Sequence, residues 1–189
     1  MKKLIVFFAI FVMGISAFAQ KTHRIMGWKI SKDIPLNELK VNLPFTIFGS
    51  SPEISYERIL NTDISVGASL LASLDTDRNP YQFAFTPYFR WFFGGNRESM
   101  QKLAAGFFIE ANGSMYSQLM DTGSVLNGAE AENEVSEMGA GLGLAIGWKY
   151  LTKNNWVGEI YLGGGRNFLK NDYGAEAYPR LGISIGKRF

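Results

Sequence analysis

The stretch Tyr81–Phe93 alternates so regularly between two kinds of side chain that it restricts the fold more than any other part of the chain. Aromatic residues share one parity, namely Tyr81, Phe83, Phe85, Phe89, Trp91 and Phe93. Polar residues occupy the other parity, at Gln82, Thr86, Tyr88 and Arg90. This period of two predicts a β-strand with one apolar face, and a sheet in water would need a partner to bury such a face. Pro87 has no N–H to donate, so we expect a local irregularity there.

The same alternation recurs in eight segments from Leu36 to the last residue. The predicted strands are Leu36–Phe48, Glu53–Leu60, Ile64–Leu74, Tyr81–Phe93, Leu103–Leu119, Met138–Leu151, Trp156–Phe168 and Tyr178–Phe189. We therefore expect an all-β fold, an eight-stranded antiparallel transmembrane β-barrel. The interior of a barrel of this size is narrow enough for side chains to fill it. A soluble barrel with its apolar face inside is the alternative, because parity alone does not say which face is inside.

The final segment, Tyr178–Phe189, places its apolar and small or polar residues on opposite parities. Leu181, Ile183, Ile185 and Phe189 share the first, and Gly182, Ser184, Gly186 and Arg188 share the second. The segment resembles the C-terminal strand of bacterial outer-membrane β-barrels, in which a terminal Phe on the outward parity is read by the barrel-assembly machinery. The resemblance implies that Phe189 is an assembly signal and that this machinery is a partner. Lys187 departs from the pattern, although a Lys at the rim can extend its amine to water.

The first 19 residues have the three parts of a secretory signal peptide. Lys2 and Lys3 form the basic region, Leu4–Phe18 is apolar, and Ala17–Phe18–Ala19 is a cleavage site. We expect cleavage near Ala19, a periplasmic segment at 20–35, which either packs beneath the barrel or pairs locally, and a barrel at 36–189. These features predict the outer membrane of a Gram-negative cell as the location. The apolar run is short for a spanning helix, which needs about 20 residues.

Loss of the signal peptide also changes the charge of the chain. The formal charge of +2 falls to about zero once Lys2 and Lys3 are removed, so nothing indicates a nucleic-acid partner. The chain contains no Cys, so export brings no disulfide framework.

With both ends of the chain in the periplasm, the connections between strands divide into two sets. The periplasmic turns are 61–63, 94–102 and 152–155, and the outer loops are 49–52, 75–80, 120–137 and 169–177. Asp121–Glu137 is the longest polar stretch, and we expect an exposed loop there. Outer loops of such barrels are usually the longer ones.

Charged residues on the inward parity form the most informative constellation. They are Lys40, Glu57, Arg90, Glu110, Lys149, Glu159, Arg180 and Arg188. Lys149 and Glu159 lie at similar distances on either side of the turn Thr152–Asn155, so we expect them to be direct cross-strand partners. Mixed charges in a narrow interior predict a hydrogen-bonded plug, and a narrow ion path is the alternative.

The architecture resembles the small OmpA and OmpX class of barrels. The run Asn37–Leu70, with KVNLPFTIFG, ISYERIL and ISVGASL, is also similar to an uncharacterised family of outer-membrane barrels common in Bacteroidota. That resemblance implies an integral membrane barrel, with outer-membrane lipid and lipopolysaccharide as its surroundings, but no particular activity.

For function, we expect a non-enzymatic protein with a structural or interaction role, performed through its outer loops. The alternatives are a narrow channel for a small solute and a lipid-modifying enzyme. His23 is the only His and precedes the first strand, which leaves no evident catalytic dyad. Asp75, Asp77 and Asn79 resemble the opening of a calcium loop, but Pro80 replaces its glycine. We therefore predict no catalytic residue, cofactor or metal.

Overall fold

The structure is a computed structural model that describes most of the second half of the chain and less of the first. It covers residues 24–25, 28–29, 35–75, 81–93, 103–121, 124–126, 129–131, 134–169 and 176–189. The predicted signal peptide, His23, Asp77, Asn79 and the whole of the predicted turn 94–102 lie outside these residues. Among the described residues, no helix is both long and apolar enough to cross a bilayer.

The chain divides into two units, which are Met1–Pro35 with Phe189 and the barrel unit Leu36–Arg188. In the first unit, strands β1 (Arg24–Ile25) and β2 (Trp28–Lys29) pair with each other as an antiparallel hairpin. Of the two arrangements left open for residues 20–35, local pairing is therefore present.

The second unit is a closed antiparallel barrel of eight strands, which confirms the predicted all-β, eight-stranded fold. Its strands are β3 (Asn37–Asn42), β4 (Glu53–Ile59), β5 (Ile64–Ala72), β6 (Tyr81–Phe93), β7 (Gly106–Asp121), β10 (Glu134–Leu151), β11 (Trp156–Asn167) and β12 (Ala177–Arg188). Each strand pairs with the next in the chain, and β12 closes the ring by pairing with β3. We call the end with the turns Asn61–Asp63 and Thr152–Asn155 the turn end, and the opposite end the loop end.

The first barrel strand is shorter than predicted. Leu36–Phe48 was expected to be one strand, but β3 stops at Asn42 and a short helix, Leu43–Ile47, follows. Pro44 lies in the first turn of this helix. A helix tolerates Pro there because the first N–H groups have no partner within the helix, whereas a strand interior would lose a ladder bond.

The predicted loop Asp121–Glu137 is largely strand, which corrects the expectation of an irregular segment. β7 and β10 stay paired as far as Asp121 and Glu134, and Ser124–Leu126 (β8) pairs with Ala129–Ala131 (β9) in a separate hairpin. Acidic and polar residues concealed this pairing, because a strand that projects into water has no apolar face to give a period of two.

A register shift near the start of β6 reverses the predicted direction of Tyr81. Tyr81 is opposite Gln118 and Phe83 is opposite Ser117, so β6 has one extra residue here. A bulge of this kind turns the residues before it to the other face. The Tyr81 ring consequently packs edge-on against the buried Tyr116, with 5.1 Å between ring centroids. At Pro87 the register with β5 is unbroken, but the pairing with β7 is interrupted at Thr86 and Pro87, which is the local irregularity expected there.

The barrel is polar inside and apolar outside. On β10, the outward side chains Leu142, Leu144, Ile146, Trp148 and Tyr150 are between 54% and 65% exposed. The neighbouring Lys149 is buried, as are the charged residues of the other strands that share its facing. This arrangement is the reverse of a soluble barrel with an apolar interior.

Candidate functional site

The interior of the barrel is layered along its axis, and the layer at the turn end is apolar. It consists of the buried residues Ile59, Phe92, Ala104 and Phe108, with Leu36 and Leu103 packed against the same cluster; Tyr161, the fifth buried member of that cluster, lies further along β11, with its ring centroid 4.7 Å from Arg180 Cζ. The rings of Phe92 and Phe108 contact each other, with their centroids 5.4 Å apart. Apolar side chains therefore pack together inside the barrel near the turn end.

The next layer contains ten buried charged side chains. The cations are Lys40, Arg90, Lys149, Arg180 and Arg188, and the anions are Glu38, Glu53, Glu57, Glu110 and Glu159. Five positive charges meet five negative charges, so the layer is neutral as a whole. Because burial of an unpaired charge is very costly, this balance is a condition for the barrel to fold.

Glu57 is the centre of this charge layer. Its carboxylate accepts hydrogen bonds from Lys149 Nζ at 2.5 Å and Arg90 Nη1 at 2.8 Å, and also from Lys40 Nζ. Ser65 Oγ donates a further hydrogen bond at 2.6 Å. A single carboxylate thus binds three cations, which come from three different strands, and it contributes to neutralising the charge of each.

Arg90 links Glu57 to two other carboxylates. Its Nε and Nη2 both lie 2.8 Å from Glu110 Oε2, and its Nη1 lies 2.8 Å from Glu159 Oε2. The guanidinium also lies 4.4 Å from the ring centroids of Tyr88 and Phe108. Arg90 therefore joins the charge layer to the apolar layer, with ring faces that attract its positive charge.

The charge layer extends along the axis through two further arginines. Towards the turn end, Arg188 donates to Glu38 Oε1 at 2.5 and 2.8 Å and to the Leu103 carbonyl at 2.8 Å. Towards the loop end, Arg180 donates to Glu110 at 2.9 Å and to Glu53 at 2.8 Å.

The structure brings all eight of the charged residues singled out in the sequence into this one network. Lys149 and Glu159 are opposite each other in the register of β10 and β11, as expected. Their charges are 3.9 Å apart, however, whereas Lys149 Nζ lies 2.5 Å from Glu57 and 2.9 Å from Glu38. The main partners of Lys149 are therefore on β3 and β4.

Two carboxylates of the network, Glu38 and Glu53, were missing from the predicted set. Both lie on the inward parity of their strands, and Glu38 shares it with Lys40. Two signals in the sequence could have identified them. Both have the inward parity, and the eight predicted residues contain more cations than anions, so further carboxylates were needed to balance the charge. Phe189, the expected assembly signal, follows β12 directly and is partly exposed.

A small cavity of about 100 Å³ lies on the loop-end side of the charge layer. Arg180 and Glu53 line it next to that layer, together with the hydroxyls of Ser69, Thr86 and Ser114. Tyr81, Tyr116 and Tyr178 line it on the side towards the loop end. The cavity therefore has hydroxyl and charged groups on one side and aromatic rings on the other.

No protein-family model, curated protein or solved structure matches this chain. Within the described residues, no three His, Cys, Asp or Glu side chains are placed to hold a metal ion. The carboxylates of the charge layer instead form ion pairs with Lys and Arg side chains. The chief chemical feature of the barrel interior is therefore a network of ion pairs that is neutral as a whole.

Proposed function

We propose that this chain is an integral outer-membrane barrel with a filled interior, and that its role is structural or interactional rather than enzymatic. The observation that carries the proposal is the reversed distribution of polarity, with ten buried charges inside and large apolar side chains outside. An apolar surface that surrounds a barrel exceeds what soluble monomers expose, whereas lipid would cover it at no cost.

The outward face of β10 is apolar over a length that can cross a bilayer, and the strands β11 and β12 have at the turn end the residue types that suit the edge of a membrane. From Leu142 to Tyr150 the outward residues are apolar without interruption, and about 9–11 tilted residues suffice to cross a bilayer. Near the turn end, Lys187 Nζ lies 5.2 Å from the ring centroid of Trp156. A Trp with a neighbouring Lys suits the boundary between lipid and water.

The location and the orientation belong to the same proposal. The signal peptide predicted at 1–19 supports export, and the resemblance of 178–189 to a strand of outer-membrane barrels supports recognition by the barrel-assembly machinery. The turn end would face the periplasm, and the loop end, with the projecting strands β7 and β10, would face outward among lipopolysaccharide. Contacts with partners would then be made by the loop end.

Substitution by arginine at two depths of the outer surface should test the membrane placement, because the stability cost of a charge facing lipid depends on its depth in the bilayer. Ile146→Arg places a charge in the middle of the apolar band of β10, and Met138→Arg places the same charge on the same face near the loop end; the wild-type side chains are 54% and 69% exposed. We expect Ile146→Arg to cost about 2–4 kcal/mol of stability in lipid and Met138→Arg about 0–1 kcal/mol. Urea titration of the barrel refolded into liposomes measures both.

The control for this comparison is the same pair of variants in detergent micelles, where a mobile headgroup layer can reach either charge. Equal losses for the two variants in liposomes would contradict the membrane placement, because a barrel surrounded by water has no midplane.

Conductance separates the filled barrel from the channel alternative. The apolar layer and the neutral charge layer occupy the barrel between the turn end and Arg180, so the protein in a planar bilayer should carry no steady ionic current. A stable, reproducible current from the pure protein would instead favour an ion path through the charge layer.

A further inference from the structure

The wall of the barrel is incomplete beside the half of β12 that is nearer the loop end. On one side, β12 pairs with β11 as far as Ala177. On the other side, its pairing with β3 ends at Ser184, opposite Asn42, because the chain leaves the wall there and forms the helix Leu43–Ile47. Among the described residues, no strand pairs with this side of 177–183. We call this the side gap.

The edge of β12 at the side gap is adapted to having no strand partner. The Leu181 carbonyl faces the gap and accepts a hydrogen bond from Asn42 Nδ2 at 3.3 Å. Backbone groups of alternate residues point to the same side of a strand, so Pro179 also has its backbone nitrogen at this edge. Pro has no N–H, and it therefore leaves no unsatisfied donor in an apolar medium.

The cavity described above reaches this side gap. Besides inward-facing residues, its lining includes Pro179 and Leu181, whose side chains are on the outward parity of β12, and Phe45 of the short helix. Towards the turn end the cavity is bounded by the charge layer. Towards the loop end the Tyr116 ring lies between those of Tyr81 and Tyr178, at centroid distances of 5.1 and 6.3 Å. The lining residues Phe45, Pro179 and Leu181 thus mark a sideways route out of the cavity.

Leu181 and Ile183 place the side gap within the apolar band, since both are exposed on the outer surface beside it. Ile47 and Phe48, at the end of the short helix, are among the most exposed large apolar residues of the barrel unit. The short helix contacts β12 beside the gap, so a molecule dissolved in the surrounding apolar phase would reach the gap past the exposed end of this helix.

We propose that the cavity is a binding site for a small, uncharged, amphipathic molecule that enters from the lipid through the side gap. The cavity of about 100 Å³ is smaller than an apolar cavity of about 150 Å³ that holds benzene, so it takes the polar end of such a molecule while the remainder stays in the side gap. The ligand is uncharged because Arg180 is already neutralised by Glu53 and Glu110. It is amphipathic because rings face the hydroxyls of Ser69, Thr86 and Ser114 across the cavity.

This inference rests on the proposed membrane location, and one labelling experiment tests both separately. The chain has no Cys, so Ser114→Cys places a single thiol in the cavity and Thr152→Cys places a control thiol in an exposed turn. The proteins in liposomes are treated with methyl methanethiosulfonate, which is neutral and lipid-soluble, or with its sulfonatoethyl analogue, which is anionic. We expect the ratio of neutral to anionic labelling rates to be at least about tenfold higher at position 114 than at position 152.

Benzyl alcohol is the probe for binding. It should slow neutral labelling at position 114 and leave labelling at position 152 unchanged. Thr86→Cys is the second variant, since Thr86 Oγ1 lies 3.3 Å from Ser114 Oγ and lines the same cavity. Ser65→Cys, beneath the charge layer, should react with neither reagent.

Rapid anionic labelling of the cavity thiols would overturn the sideways route, because it would mean access from water at the loop end. Absence of any labelling, or absence of competition by benzyl alcohol, would overturn the binding site. Failure of the membrane placement itself has a different signature, in which brominated lipid fails to quench the exposed tryptophans Trp91, Trp148 and Trp156.

Discussion

Glu57→Ala is expected to lower the unfolding free energy of the barrel by about 3–5 kcal/mol, the cost of breaking a buried ion pair. The Glu57 side chain is 0% exposed and touches Lys149 Nζ, Arg90 Nη1 and Lys40 Nζ. Its removal leaves four carboxylates to neutralise five cations in a space that is closed to bulk solvent. The loss should therefore be at the upper end of the range for single buried charges.

Arg58→Ala is the matched control for this change. Arg58 is the next residue of the same strand, is exposed on the outer surface, and has a hydrogen bond to the Asn37 side chain. A surface interaction of this kind contributes about 0–1 kcal/mol. Urea unfolding of both variants in the same detergent measures the difference, and a loss of less than about 1 kcal/mol for Glu57→Ala would mean that the charge layer is hydrated.

Glu57→Gln refines the result, because it keeps the shape of the side chain and removes only the charge. A loss nearly as large as that of Glu57→Ala would assign the stability to charge balance. Recovery of most of the stability would assign it to packing and hydrogen bonding instead.

Which residues share a face could be predicted from the sequence, because the period of two in a strand is a local property. Parity grouped Lys40, Arg90 and Glu159 on one face, and the structure shows that this face is the inner one. Depth along the axis and distance around the ring are not local. Lys149 meets Glu38 from a position 111 residues away, a contact set by the closure and stagger of the strands.

The short helix was missed for a different reason. Leu43–Ile47 continues the apolar alternation of β3, and only Pro44 signals a break. The side gap and its cavity could not be predicted, because they depend on where the pairing of β3 with β12 ends. The function of Pro179 at that edge becomes evident only once the neighbouring strand is known to be absent there.

The second large effect is expected at the apolar layer of the turn end. Phe108 is 0% exposed. The centroid of its ring lies 5.4 Å from that of Phe92 and 4.4 Å from Arg90 Cζ. Gly147 on the adjacent strand has no side chain and so leaves space for the Phe108 ring, since a Cβ at Gly147 would lie 2.5 Å from Phe108 Cζ. We expect Phe108→Ala to lower the unfolding free energy by about 3–5 kcal/mol through lost contacts and a residual cavity.

Phe107→Ala is the control for this prediction, because it removes the same ring from the next residue on the opposite face. Phe107 is 38% exposed on the outer surface, where detergent or lipid can fill the space that the ring vacates. Its loss should be less than half that of Phe108→Ala in the same urea titration. Equal losses would mean that the turn end of the barrel is not packed as a solid core. Such a result would also remove the main support for the proposed filled interior.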